Sequence, residues 1–158
     1  MKKYPVFYIA LCIAFVVITL PQCKKQTIPP ARLNITLYDK PLDTIKAYIS
    51  GKWKLEYTYG GLIANLRTDL HDKDYIWQID SGINIKQTYL GNLITDTPIE
   101  WFLNDPRNGI GQEVYYVMKF YDKRHYPYIY IVWKMVNDSL LLKDYAADAM
   151  TYHFSKQS

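Results

Sequence analysis

Gly51-Lys52-Trp53-Lys54-Leu55-Glu56-Tyr57-Thr58-Tyr59 alternates large apolar and polar side chains along its length. Successive side chains of a strand point to opposite faces, so this stretch reads as a half-buried strand. Trp53, Leu55, Tyr57 and Tyr59 would share the covered face, with Lys54, Glu56 and Thr58 on the other. The same period returns further along the chain, between clusters of turn residues. Counting the first run as Lys52–Tyr59, the pattern predicts eight strands, the others being Tyr75–Ile79, Ile83–Tyr89, Pro98–Leu103, Glu113–Phe120, Tyr128–Met135, Ser139–Lys143 and Thr151–Phe154. In the sixth run, Ile129, Ile131, Trp133 and Met135 are expected to form the apolar face.

Short strands joined in sequence by turns form an antiparallel meander. Eight of them can close into an all-β up-and-down barrel, which removes exposed edges. A two-sheet β-sandwich is the alternative. Ahead of the first strand, Pro41–Ile49 has helical spacing, with Leu42, Ile45 and Ile49 on one face. Asp39 is expected to cap this helix and Ser50-Gly51 to end it.

A short helix followed by Gly51-Lys52-Trp53 at the start of the first strand resembles the lipocalin pattern over roughly Pro41–Lys156. The resemblance implies an eight-stranded calycin-type barrel, with Gly51 and Trp53 at its floor and a basic residue, here Lys156, over the tryptophan. The whole chain is similar to small bacterial lipocalin-like lipoproteins.

The lipoprotein reading rests on the N-terminus. Lys2 and Lys3 precede an uncharged apolar run from Tyr4 to Leu20, the layout of a secretory leader. Leu20-Pro21-Gln22-Cys23 resembles a bacterial lipoprotein processing site, with Leu three residues before the cysteine. Residues 1–22 are therefore expected to be a signal peptide, 23–38 a lipidated tether beginning at Cys23, and 39–158 the barrel domain. The resemblance implies the cell envelope of a Gram-negative bacterium, with the protein held to a membrane by lipid. An uncleaved anchor and plain secretion are the alternatives. Cys12 lies within the leader, which leaves Cys23 with no internal disulfide partner.

The formal net charge is +4, and two of the contributing lysines belong to the leader. That balance gives no argument for a nucleic-acid partner. The marked bias is aromatic: 16 tyrosines, all but Tyr4 and Tyr8 beyond the leader. The three histidines, His71, His125 and His153, lack metal-ligand spacing. No nucleophile elbow, phosphate loop or His-Glu-x-x-His motif occurs, so neither catalytic residues nor cofactor are expected.

The meander also assigns the ends of the barrel. With Trp53 at the floor, the connections Gly60–Asp74, Leu90–Asp96, Tyr121–Pro127 and Asp144–Met150 reach the mouth. Parity then places Tyr57, Tyr59, Tyr75, Trp77, Tyr89, Ile99, Phe120, Ile129 and Tyr152 inward near the mouth, with Arg67 and His71 on the longest loop. Tyr57, Tyr59, Arg67, Tyr75, Trp77, Tyr89, Phe120 and Tyr152 are the candidate ligand residues. Aromatic walls with a few polar groups suit a small apolar or amphipathic molecule. The competing reading is a lumen filled by the rings and a structural or protein-interaction role, in which outward Tyr115, Tyr121, Tyr128 and Tyr130 would form the contact surface. An enzyme, the third reading, would need a buried ionisable cluster.

Overall fold

The computed structural model describes residues 33–63, 66–104 and 113–158. The leader, Cys23 and most of the loop before Glu113 lie outside the described residues. The described residues form eleven strands and one α-helix: β1 (Asn34–Thr36), α1 (Leu42–Ile49), β2 (Gly51–Gly60), β3 (Arg67–Asp69), β4 (Tyr75–Asp80), β5 (Asn84–Tyr89), β6 (Asn92–Pro98), β7 (Glu100–Leu103), β8 (Tyr116–Tyr121), β9 (Pro127–Val136), β10 (Ser139–Asp144) and β11 (Met150–Gln157). A single 3-10 turn, His71–Lys73, joins β3 to β4.

All pairings are antiparallel and give a nearly closed, barrel-shaped sheet in the order β6-β5-β4-β2-β11-β10-β9-β8-β7. β6 runs into β7 across Ile99 alone, so the two ends of this path are adjacent in the chain. Thr95 Oγ1 on β6 donates to the Tyr121 carbonyl on β8 at 3.0 Å, which ties the same two sides.

The expected count of eight strands is corrected to eleven among the described residues. β6 occupies most of the connection Leu90–Asp96 expected at the mouth, where Asn92, Thr95, Asp96 and Thr97 dilute the apolar signal. β3 is three exposed residues, Arg67-Thr68-Asp69, with no alternation to detect. β1 adds to β9 through Asn34↔Val136, Ile35↔Met135 and Thr36↔Lys134, and Leu37 beyond it is fully buried. The last residues of the expected tether are therefore packed on the barrel.

Helix α1 closes one end. Ile45 and Ile49 are fully buried with Trp53, Ile79 and Ile85 in the core. Trp53 Nε1 donates to the Ile49 carbonyl at 2.7 Å, satisfying one of the carbonyls a helix C-terminus leaves open. Asp39 does not cap the helix as expected: Pro41 holds the N-cap position, without a side-chain hydrogen bond, and Asp39 pairs with Lys40 at 3.0 Å.

Of three register shifts in the sheet, those on β2 and β9 set which side chains face the core and cavity from these strands. On β2, Leu55 opposes Phe154 and Tyr57 opposes His153, so Glu56 has no ladder partner. An extra residue reverses the alternation beyond it. Trp53 and Leu55 face in before the bulge, and Thr58 faces in after it. On β9, Leu141 opposes Lys134 and Leu142 opposes Val132, which leaves Trp133 extra. Its carbonyl accepts from the N–H groups of both Leu37 (2.9 Å) and Tyr38 (3.2 Å). Tyr130, Val132 and Met135 are the buried core residues of β9, with Tyr128 packed against them. The expected face of Ile129, Ile131, Trp133 and Met135 is therefore corrected except at Met135.

Candidate functional site

At the end away from α1 the barrel holds a cavity of about 350 Å³. β2 contributes Leu55 and Thr58 to its wall, and β4 contributes Tyr75 and Trp77. Tyr89 comes from β5, Tyr128 and Tyr130 from β9, and Tyr152 from β11. Leu70 and Lys73 come from the connection between β3 and β4.

That connection is drawn over the cavity by backbone bonds. The Leu70 N–H donates to the Glu56 carbonyl at 2.7 Å, and β3 pairs with β2 through Tyr57↔Asp69, Thr58↔Thr68 and Tyr59↔Arg67. Lys54 Nζ reaches Asp74 at 3.1 Å and holds the far end of the connection. The Gly60–Asp74 connection thus reaches the mouth as expected, through Leu70 and Lys73.

The rings pack in a continuous network. Trp77 meets Phe154 at 4.7 Å, Tyr130 at 5.5 Å and Phe120 at 5.6 Å between centroids. Tyr130 meets Tyr152 edge-on at 5.2 Å, and Tyr75 meets Tyr89 at 5.9 Å. Phe120 stacks on Tyr128 at 5.4 Å. Such contacts add to simple area burial and fix the orientation of the walls.

Polar groups at the site are few. The Tyr152 hydroxyl donates to Asp144 Oδ2 at 3.4 Å. Burial raises the Asp144 carboxyl above its ordinary range, partly opposed by that hydrogen bond and one from the Met150 backbone. Burial also raises the hydroxyls of Tyr75, Tyr130 and Tyr152, with the Asp144 charge adding to the last two. All three hydroxyls are therefore neutral donors at physiological pH. Among the described residues, Trp77 Nε1 and both amide atoms of the fully buried Gln87 have no hydrogen-bond partner. These two residues oppose each other across β4 and β5, so the unpaired groups are concentrated in one place.

Compared with known protein families, curated proteins and solved structures, the chain matches none.

The structure brings together half of the residues singled out from the sequence. Tyr75, Trp77, Tyr89 and Tyr152 line the cavity. Phe120 is fully buried behind Tyr128 in the core, and Ile99 is buried there too. Tyr57 and Tyr59 lie beyond the Glu56 bulge on the outer face, a correction that follows from the reversed parity. Outside the barrel, His153 stacks on Tyr57 at 4.1 Å and the Arg67 guanidinium sits 3.7 Å from the centre of the same ring. Arg67 also pairs with Asp69 at 2.8 Å, so it belongs to the outer wall. His71 is exposed on the 3-10 turn.

Thr58, Leu70, Lys73, Tyr128 and Tyr130 were missed by the sequence reading, and Leu55, correctly placed on the covered face, was not among the candidate ligand residues. Leu70 had a signal, as the lone apolar residue within Thr68-Asp69-Leu70-His71-Asp72. Tyr128 and Tyr130 had none, because both faces of β9 are apolar. Their inward placement removes two members of the expected outer aromatic patch. Of the others, Tyr115 is buried beside a shallow outer hollow shared with Tyr38, Trp133 and Lys143, and Tyr121 packs 4.7 Å from Lys119 Nζ. Among the described residues, no group of three or more His, Cys, Asp or Glu could hold a metal ion.

At the closed end, Gly51 has φ +133°, and the Lys156 ammonium lies 5.6 Å from the centre of the Trp53 ring. Lys156 is also the direct ladder partner of Trp53.

Proposed function

We propose that this protein is a lipocalin-like lipoprotein that carries a small apolar or amphipathic molecule in its barrel. The cavity carries the reading. It is about 350 Å³, lies inside a nearly closed sheet, and is walled by aromatic and aliphatic side chains with few polar groups. Ligand sites commonly have this size and lining. The helix at one end, Trp53 under Lys156 and the antiparallel order support the lipocalin-like part of the reading. The opposing idea of an inert barrel with an outer aromatic contact surface is weakened by the inward placement of Tyr128 and Tyr130.

The anchor part of the proposal rests on the sequence of residues 1–23. Lys2, Lys3, the apolar run and Cys23 would place the domain on a membrane of the cell envelope, with the barrel standing off it as the carrier.

Two measurements test these parts separately. Native mass spectrometry of protein purified from its own host should show a bound small molecule, and the neutral probe N-phenyl-1-naphthylamine should enter the cavity and quench Trp77. A protein that carries nothing and takes up no probe would sink the carrier reading. Cys23→Ser should move the chain from the membrane fraction to the soluble fraction; unchanged tight membrane association would point to an uncleaved anchor.

A further inference from the structure

We propose that the cavity recognises an organic cation, an alkylammonium group seated against the tyrosine walls with Asp144 as its counter-ion. This rests on the carrier reading and names the ligand class for it.

The lining is the first observation. Only Leu55 and Leu70 are aliphatic hydrophobes, whereas Trp77 and five tyrosines supply rings. A site for alkyl chains alone needs no such excess of rings. Neighbouring rings are steeply inclined, by 85° for Tyr130 and Tyr152, 62° for Trp77 and Tyr130, and 60° for Tyr75 and Tyr89. Their faces therefore look in different directions around the space. An aromatic face attracts a cation within about 6 Å of its centroid, and several faces together form a cage for quaternary ammonium groups.

Asp144 is the second observation. It opposes Tyr130 in the β9–β10 ladder and accepts the Tyr152 hydroxyl at 3.4 Å. It is half-buried, and among the described residues no lysine or arginine pairs with it. A partly desolvated carboxylate without a counter-ion is unfavourable, and a ligand cation would relieve it. The bond from Tyr152 also enriches that ring in electron density. Lys73 stands exposed at the rim, where water and salt screen its charge.

The test compares choline with 3,3-dimethylbutan-1-ol, which replaces the charged nitrogen by carbon at nearly constant shape. Both are titrated into the full chain, labelled with fluorotyrosine and held in nanodiscs free of choline lipids, with empty nanodiscs as the blank. Choline should shift tyrosine fluorine signals and bind at least tenfold more tightly than the alcohol. Asp144→Asn should weaken choline at least fivefold and leave the alcohol unchanged. Tyr152→Phe should act in the same direction, and it carries the test if the Asn variant no longer takes up N-phenyl-1-naphthylamine. Equal affinity for the two compounds, or undiminished choline binding in both variants, overturns the proposal. Uptake of the neutral probe alone leaves the carrier reading standing, whereas exclusion of all three compounds removes both.

Discussion

His153 stacks on Tyr57 on the outer wall, with Arg67 over the same ring and Lys134 on the neighbouring strands. Burial, then the charges of Arg67 and Lys134, lower its pKa from 6.5. The sign of the consequence follows from proton linkage. Below pH 6.5 the unfolded chain takes up a proton at this histidine that the folded chain resists. Folding stability at this site is thus intact above about 6.5 and is lost as pH falls through the lowered folded value. The expected result is a difference in urea-unfolding free energy between the wild type and His153→Gln that shrinks or reverses from pH 7.5 to pH 5. His71 and His125 are common to both chains and cancel. A difference constant across that range would show that His153 is not held neutral by its surroundings. None of this was visible in the sequence, because Glu56, one residue before Tyr57, gives no sign that it is the bulged position. Its carboxylate accepts from the Ser155 hydroxyl across the strand pair, a contact that only the folded ladder reveals.

Helix α1 and the β4–β5 turn show which local signals carry energy. The helix is legible within a residue, because Leu42, Ile45 and Ile49 have clear helical spacing. The sequence also offered Asp39 as a cap, and tertiary packing makes that cap unnecessary. The last turn of α1 is fixed instead by Trp53 Nε1 and by the turn Asp80–Ile83. At Gly82, φ is +63°, and an added Cβ would lie 2.5 Å from Lys46 Cγ and 2.8 Å from Lys46 Cα. The Gly82 carbonyl is itself held by Trp101 Nε1 at 2.8 Å, so the turn cannot slide away freely. Gly82→Ala should therefore destabilise the protein by about 2 kcal/mol or more, from backbone strain added to the clash. Asp39→Ala, which removes no cap hydrogen bond, should change stability by less than about 0.5 kcal/mol. Denaturant melts of the two variants check the ranking, and a costly Asp39→Ala would show that the helix start depends on that side chain after all.

At the scale of the whole molecule, the order of the main strands was legible from turns and period, whereas the placing of the closed end rested on the resemblance at Gly51-Lys52-Trp53, and an open lumen could not be told from one filled by its rings. The faces were not legible. Each bulge displaces the alternation by one residue, and strands apolar on both sides give no way to see it. The same limit applies to closure. β6 was hidden in polar sequence, yet it is the strand that brings the sheet round to β8. Among the described residues, two hydrogen bonds cross this seam: Thr95 Oγ1 to the Tyr121 carbonyl, and Lys123 Nζ to the Leu93 carbonyl, each at 3.0 Å. Thr95 is almost fully buried, whereas the lysine contact is exposed. The part-buried Thr95 bond has few water competitors, so its removal leaves the Tyr121 carbonyl short of a partner at a cost of about 1–2 kcal/mol. Thr95→Val keeps the shape and removes only the hydroxyl. It should lower overall stability by that amount and speed amide hydrogen exchange along Asn92–Pro98 before it does so in β2 or β11. Lys123→Ala should leave exchange in β6 close to wild type, since the Lys123 contact faces solvent. Uniform acceleration across all strands in Thr95→Val would mean that the barrel opens as one unit and that β6 is not its seam.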